Sequence, residues 1–595
     1  MISCFILVCG FVKRCIKLKE KIGCLWTKRQ TTNITECIAE ANKMISIAVI
    51  SLYSYLGSKW TAIIVGLLVA LFVYKRKVAD YFPSRGVKTL PFSVPFFGHM
   101  FKVFIQQEHI STMVSRFYNA FPNEKYVGLY QFTKPLVMVT DLDIIKQITI
   151  KDFDSFQDHI SVIDEKMDPL FGSNLVALTG LKWRDMRATL SPAFTSSKMK
   201  GMFGFVAECG EEMMSYFEEE LKKPENKKKG HLEIEFKDTF TRYTNDVIAT
   251  SAFGIKVNSL RDRENEFYKM GKESTNFRGI VMLKFFLMMM VPSIMKFLGI
   301  KILNGRCSTF FRNLVSTTMK TREDQHIIRP DMIQLLMEAK KGSLKHETNK
   351  EEGVIETGFA TVQESAMGKQ SVKREWTDDE IIAQAVIFFL AGFETSSNLL
   401  SFAAHELAVN PDIQKRLQEE VDEVSAKCGG KVNYTDLHAM KYMDMVITET
   451  LRYWPPSAAL DRKCVKKYTL PPSNDSSTEG ITLNVGDGIW IPLHGIHRDP
   501  KYYENPDTFD PERFSDENKG SINPLTYLPF GVGPRNCIGS RFALMECKAI
   551  IFQILQKFNL VPIAKTSHPM KISLSSFNFM PENGYWIGVK LRDTK

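Results

Sequence analysis

The 595-residue chain is 44% hydrophobic and 24% charged, which supplies ample core and excludes global disorder. Its length fits several average domains or one large enzyme. A net charge of +10 is mild over this length: it suits an acidic protein partner or an anionic membrane surface, and no basic tract points to nucleic acid.

Eleven cysteines are present, five of them within the first forty residues and the rest scattered without pairing. A disulfide framework is not expected, and in a reducing compartment a Cys set apart by its surroundings is suspected of chemistry. Residues 60–74, WTAIIVGLLVALFVY, form an apolar run stopped by Lys75, Arg76 and Lys77. A helix needs roughly 20 residues to cross a bilayer core, so the span is expected to reach back through Lys59, with residues 44–77 as membrane anchor and basic stop. The basic stop would leave everything downstream in the cytosol. Residues 1–43 carry eight Lys or Arg against three Glu, which conflicts with that orientation, so they read as an extension of uncertain status.

Next comes LPFSVPFFGHM, residues 90–100, a stiff hinge made by Pro91 and Pro95 with a tight turn at Gly98. The remainder is mainly helical in pattern, with short β-branched runs near 125–150, 480–495 and 570–592. Residues 280–299 are as apolar as a membrane span but broken by Lys284, Pro292 and Lys296. They read as an interfacial patch, a helix pair lining a lipophilic channel, or ordinary core. Residues 340–375 read as an exposed loop.

Thr377 and Glu380 form a capping box that opens a long helix through IIAQAVIFFL into AGFETS, residues 391–396. Further on, Glu449 and Arg452 of ETLR lie on one helix face, and with Arg513 of PERF they would form a buried network rather than a weak exposed pair. The sharpest signal is PFGVGPRNCIGSRFA, residues 529–543. A thiolate bound to haem iron needs backbone room and polar groups that tune its donation. Gly531, Gly533 and Gly539 supply room around Cys537, and Arg535 can neutralise a propionate.

Phe530, Gly533, Arg535, Cys537 and Gly539 resemble the FxxGxRxCxG pattern of the cytochrome P-450 family. AGFETS, ETLR and PERF match that family's other motifs in order. The resemblance implies a mainly α fold with small β-sheets, in which residues 78–595 form a single haem-thiolate domain behind the anchor. It implies Cys537 as the metal ligand. It also implies that Glu394 and Thr395 relay protons, and that Trp183, Arg187, Ala391, Gly392, Arg462, Phe530, Gly531, Arg535 and Gly539 contact haem b (iron protoporphyrin IX).

No GxGxxG follows a strand, so NADPH electrons would arrive through the flavins of a separate NADPH-cytochrome reductase docking on the Cys537 face, with cytochrome b5 as a further partner. DMIQLLMEAKKG, YTNDVIATSAFG and WRDMRATLSPAFTSSKMK look most like the insect microsomal branch that shares a clan with mammalian family three. That resemblance implies an endoplasmic reticulum enzyme inserting oxygen from O2 into lipophilic substrates such as plant toxins or insecticides. Expected pocket walls are the 160–180 loop, Phe388, Ala391, Ala458, Ala459 and Phe577. A haem-thiolate isomerase or dehydratase, or a non-catalytic haem protein, are the alternatives.

Overall fold

The computed structural model describes residues 43, 46–47, 58–74, 78, 80–91, 94–160, 163, 165–276, 279–342, 358–362, 374–576 and 578–593. The chain divides into two units, Met1–Lys77 and Val78–Lys595. In the first, helix α1 spans Ser58–Tyr74. It is apolar on every side, and Ile63, Leu67, Val69 and Phe72 are each more than half exposed. Its 17 residues extend about 25 Å, a little short of the roughly 30 Å of hydrocarbon in a bilayer. Most of the rest of the expected anchor, and residues 1–42, lie outside the described residues.

The second unit is mainly helical, with three small sheets among the described residues. Strands β1 (Tyr126–Gln131), β2 (Lys134–Val139), β3 (Leu460–Lys463) and β4 (Gly488–Ile491) form one sheet in the order β1-β2-β4-β3. The β2–β4 pair is parallel and the other two are antiparallel. Leu232–Glu235, Trp586–Leu591 and Phe558–Val561 make the second sheet, and Tyr468–Pro472 with Gly480–Leu483 the third. The helices that matter for the site are α2 (Gly180–Leu190), α3 (Phe236–Ser251), α4 (Asp378–Val409), α5 (Lys441–Tyr453) and α6 (Ser540–Lys557).

Helix α4 is the spine. Thr377 and Glu380 close the expected capping box, and Asp378, Asp379 and Glu380 place negative charge on its N-terminal turn. Among the described residues it alone is long and apolar enough to cross a membrane. It does not do so here: it packs on α3, α5 and α6, and Phe389, Phe393, Leu400 and Phe402 sit in the central core. An all-round apolar helix is what a protein interior demands.

Several sequence expectations change. The β-branched run at 140–150 is not strand, because the Asp141 carboxylate caps the Ile144 amide and starts a helix at Leu142–Lys146. Over 570–592 only Trp586–Leu591 is a strand, preceded by an isolated bridge between Ile572 and Pro581. The 340–375 stretch is not uniformly an exposed loop. Ala360 is buried, the Phe359 amide donates to Asp444 at 2.9 Å, and the Phe359 ring packs on Phe514 and Tyr527.

Residues 280–299 form two helices, Ile280–Met290 and Pro292–Phe297, parted where Pro292 lacks an N–H. Met282, Phe286, Met288 and Met295 face the interior, while Ile280, Ile294, Leu298 and Phe297, the last 89% exposed, face out. Ordinary core therefore accounts for one side only. Gly98 makes the expected turn: its φ is +61°, and a Cβ there would lie 2.4 Å from the Tyr130 carbonyl oxygen.

One polar network pins these elements together. Arg452 and Glu449 on α5 have no exposed side-chain surface and form a two-point pair at 2.7 and 2.8 Å. Arg452 also donates to the carbonyls of His497 and Pro506, and Glu449 accepts from the Asp510 amide and approaches Arg513 at 3.5 Å. His497 donates from Nδ1 to the Arg452 carbonyl and accepts at Nε2 from the Leu528 amide. Burial and the Arg452 charge push this imidazole down to about 3, so it is neutral. Replacing Glu449 by Ala strands the Arg452 charge in the core, and we expect a loss of ~3–5 kcal/mol of stability, read as a drop in the urea midpoint. A change below about 1 kcal/mol would show that the pair is dispensable.

Candidate active site

The segment after Leu528 folds back on itself. The Gly531 amide donates to Leu528, Asn536 to Gly533, and Cys537 to Phe530 at 2.8 Å. Gly533 has a φ of +73°, and a Cβ there would lie 2.0 Å from the Thr149 carbonyl oxygen, so only glycine fits. Gly539 caps α6 directly after the loop. Cys537 thus stands at the apex of a tight loop facing the start of a helix.

Cys537 lies as deep in the molecule as Glu546, yet its surface is exposed. Both are true only if it faces an internal void. Ala391 and Thr395, in the middle of α4, are exposed in the same way. Thr395 and Phe530 line one cavity, together with Ala543, Trp454 and Asn578, which brings α4 and the Cys537 loop to a common space. Burial pushes the Cys537 thiol up, while the Gly539 N–H and the Arg187 charge pull it back.

Beside this loop sit three buried guanidinium groups. Arg187 donates to the Asn536 carbonyl at 2.6 Å and to its side-chain oxygen at 2.7 Å. Arg535 lies over the Trp183 ring at 4.0 Å and donates to the carbonyls of Gln157, Leu175 and Leu178. Arg462, from β3, donates to the carbonyls of Asp461 and Val532, and its Nε has no partner among the described residues. Burial, reinforced by the Arg462 charge, pushes Arg535 down to about 9; burial takes Arg462 to about 10.

The anionic groups nearby are Asp158, 3.8 Å from Arg535, and Asp461, which is bonded to His159 at 2.9 Å. Although burial opposes it, His159, the Ile160 amide and Arg462 hold Asp461 down to about 2. Three cations against two carboxylates, with one donor unanswered, fit a ligand that brings carboxylates to the void opposite Cys537. Haem, with its two propionates and a thiolate-seeking iron, meets that description. His159 belongs to this group and was missed in the sequence. It sits in no motif, and only its juxtaposition with Asp461 across some 300 residues reveals it.

Two expected residues do not face the void. Gly392 packs against α3, where a Cβ would come within 2.9 Å of Ile248 Cδ1, so its small size serves helix contact rather than cofactor space. Glu394 points to Lys237 of α3 at 3.1 Å, and Lys237 also donates to Ser397. Thr395 donates to the Ala391 carbonyl at 2.6 Å. Neighbouring helical residues lie about 100° apart around the axis, and the structure does not bring these two side chains together.

A second cavity of about 500 Å³ adjoins the first at Pro456 and Asn578 and reaches His159 and Asp461; Ile160, Ile163, Val176, Ala458 and Ala459 line it, as expected of the pocket walls. Phe388 instead packs on Phe194, and Phe577 lies outside the described residues.

A family model for cytochrome P450 matches residues 89–587. The chain is 46% identical over 541 residues to cytochrome P450 9e2 of Blattella germanica, covering 90% of this chain and 98% of that protein. It is 42% identical to probable cytochrome P450 9f2 of Drosophila melanogaster, over 86% of this chain and 95% of that protein. It is 36% identical to cytochrome P450 6k1 of B. germanica, over 86% and 93%.

Glu546, on α6 behind the loop, gives this region a pH dependence. Among the described residues neither carboxyl oxygen has a hydrogen-bond partner, and burial pushes the group up to about 8, with Ser396 opposing. A carboxyl whose folded pKa is raised favours folding at low pH, and that contribution is lost as pH climbs from 4.5 through about 8. Thermal midpoints of the native protein should therefore fall over that interval more steeply than those of Glu546→Gln. Parallel curves would mean that Glu546 titrates normally.

Proposed function

The chain belongs to the cytochrome P450 family and is a haem-thiolate monooxygenase; on that premise we propose which residues hold the haem and what the enzyme oxidises. Cys537 supplies the thiolate. The void it faces leaves room for the cofactor, and the Gly539 N–H directed at its sulfur favours an anion at that atom; both support this. Arg187, Arg462, Arg535 and the Trp183 indole hold the propionates, and His159 joins them. Phe530, Gly531 and Gly539 shape the thiolate side, and Ala391 the opposite wall. When bound, haem activates dioxygen and transfers one oxygen atom to an organic substrate.

The protein's part is positioning and proton supply. Thr395 Oγ1, exposed to the interior, holds a proton where it is needed. Glu394, paired with Lys237, brings protons inward and passes them to Thr395 after turning from its ion pair. The largely apolar cavity of about 500 Å³ accepts lipophilic molecules, xenobiotics such as plant toxins or insecticides among them. Electrons come from NADPH through a flavoprotein reductase on the Cys537 face, with cytochrome b5 as a second donor.

We place the enzyme on the endoplasmic reticulum membrane with its catalytic unit in the cytosol. The exposed and mostly apolar helix α1 and the outward apolar side of residues 280–298 support that reading.

Turnover of a panel of lipophilic toxins, fatty acids and steroids under isotope-labelled dioxygen tests the whole proposal. One labelled oxygen should appear in the product, dependent on NADPH and reductase. Thr395→Ala should consume NADPH while product falls by about tenfold or more. Product that forms without label or without NADPH would point to an isomerase or dehydratase instead.

A further inference from the structure

The cavity of about 500 Å³ is walled mainly by apolar side chains, Ile110, Phe171 and Met289 among them. Gln131 breaks that wall. Along β1 the side chains alternate, so Val127, Leu129 and Gln131 share a face. Val127 and Leu129 pack in an apolar cluster with Met100, Ala458 and Trp490, which themselves line the cavity. An aliphatic residue would be expected at 131.

Gln131 is only 7% exposed. Its side-chain amide makes no hydrogen bond with a described residue, so its donors and acceptor open on the cavity that it lines. Such a group is costly to bury unless an occupant answers it.

The other polar groups on the wall fit the same kind of occupant. Asn578 also has no side-chain partner among the described residues, and it lines the smaller cavity with Thr395, so the two spaces adjoin at Asn578 and Pro456. His159 bonds to Asp461 through Nδ1, which leaves Nε2 open. Asp461 is answered by His159 and the Ile160 amide. The unanswered groups turned to the cavity are therefore hydrogen-bonding, and its one carboxylate, Asp461, is already answered.

We propose that Gln131 is a specificity-determining residue whose amide binds a carbonyl or hydroxyl oxygen on a neutral, otherwise apolar substrate. It selects oxygen-bearing lipophiles over plain hydrocarbons and fixes which end of the molecule turns toward Thr395. This rests on the reading of the cavity as the substrate chamber.

Fluorene and 9-fluorenone are suitable probes, because they have nearly the same shape and differ by one carbonyl. Equilibrium dialysis against the full-length, haem-loaded protein gives the affinity for each. The affinity for fluorenone relative to fluorene should be roughly threefold to tenfold higher in the native protein than in Gln131→Leu, with fluorene bound equally by both. Gln131→Met, which keeps the length of the side chain, should show the same loss. An unchanged ratio in either folded variant overturns the assignment, since water would then answer the amide. Dialysis needs no turnover: ratios that shift as expected in a protein that inserts no oxygen would contradict the proposed function and leave Gln131's role standing.

Discussion

Arg452 carries its charge where no water reaches, and the position of the catalytic loop depends on how that charge is answered. A buried ion is costly unless its partner and every remaining donor are satisfied. Here Glu449 takes two of the guanidinium bonds, and carbonyls from His497, Pro506 and Thr508 take the others. The arrangement joins α5 to a segment fifty residues downstream. Through the two nitrogens of His497 it continues to Leu528, where the loop leading to Cys537 begins. Tyr527 stacks on His497 and donates to Thr448, so the same network closes on α5. The loop is thereby held from behind, and the side that meets the haem void stays free of packing demands.

A second polarity runs the other way. At the void the protein gathers Arg187, Arg462 and Arg535 without enough carboxylates to answer them, leaving the Arg462 Nε unbonded. Other buried ionic groups also lack a partner among the described residues, Glu546 for one, but here three cations with too few carboxylates stand beside a void, which marks a ligand rather than a packing fault. The two networks serve different ends: one closes around Arg452 and fixes the backbone, and the other, on the proposed reading, takes up propionates. Helix α4 connects them, offering a buried apolar flank to α3, α5 and α6 and exposing Ala391 and Thr395 to the void.

Much of this was legible in the sequence because the chemistry is local. The capping box before α4, the i, i+3 spacing of Glu449 and Arg452, and the glycines around Cys537 each declare themselves within a few residues. What was hidden depends on distant partners. Nothing near Gly392 indicates that Ile248 fills the space beside it, and nothing near Glu394 points to Lys237. His159 and Asp461 meet only because β3 closes the sheet beside the loop that carries His159. The run at 140–150 was misread because β-branched composition was weighed above the Asp141 cap. The substrate was least legible of all, since the chamber is assembled from strands, loops and helices that no single motif spans.

The most direct test of the account is the carbon monoxide difference spectrum of the reduced, haem-loaded protein beside that of Cys537→His. Thiolate ligation shifts the main absorption band strongly to the red through sulfur donation. The native protein should show that band and the variant should lose it while still binding haem. A native spectrum of the nitrogen-ligated kind, or a variant that keeps the red-shifted band, would show that Cys537 is not the ligand around which the site is built.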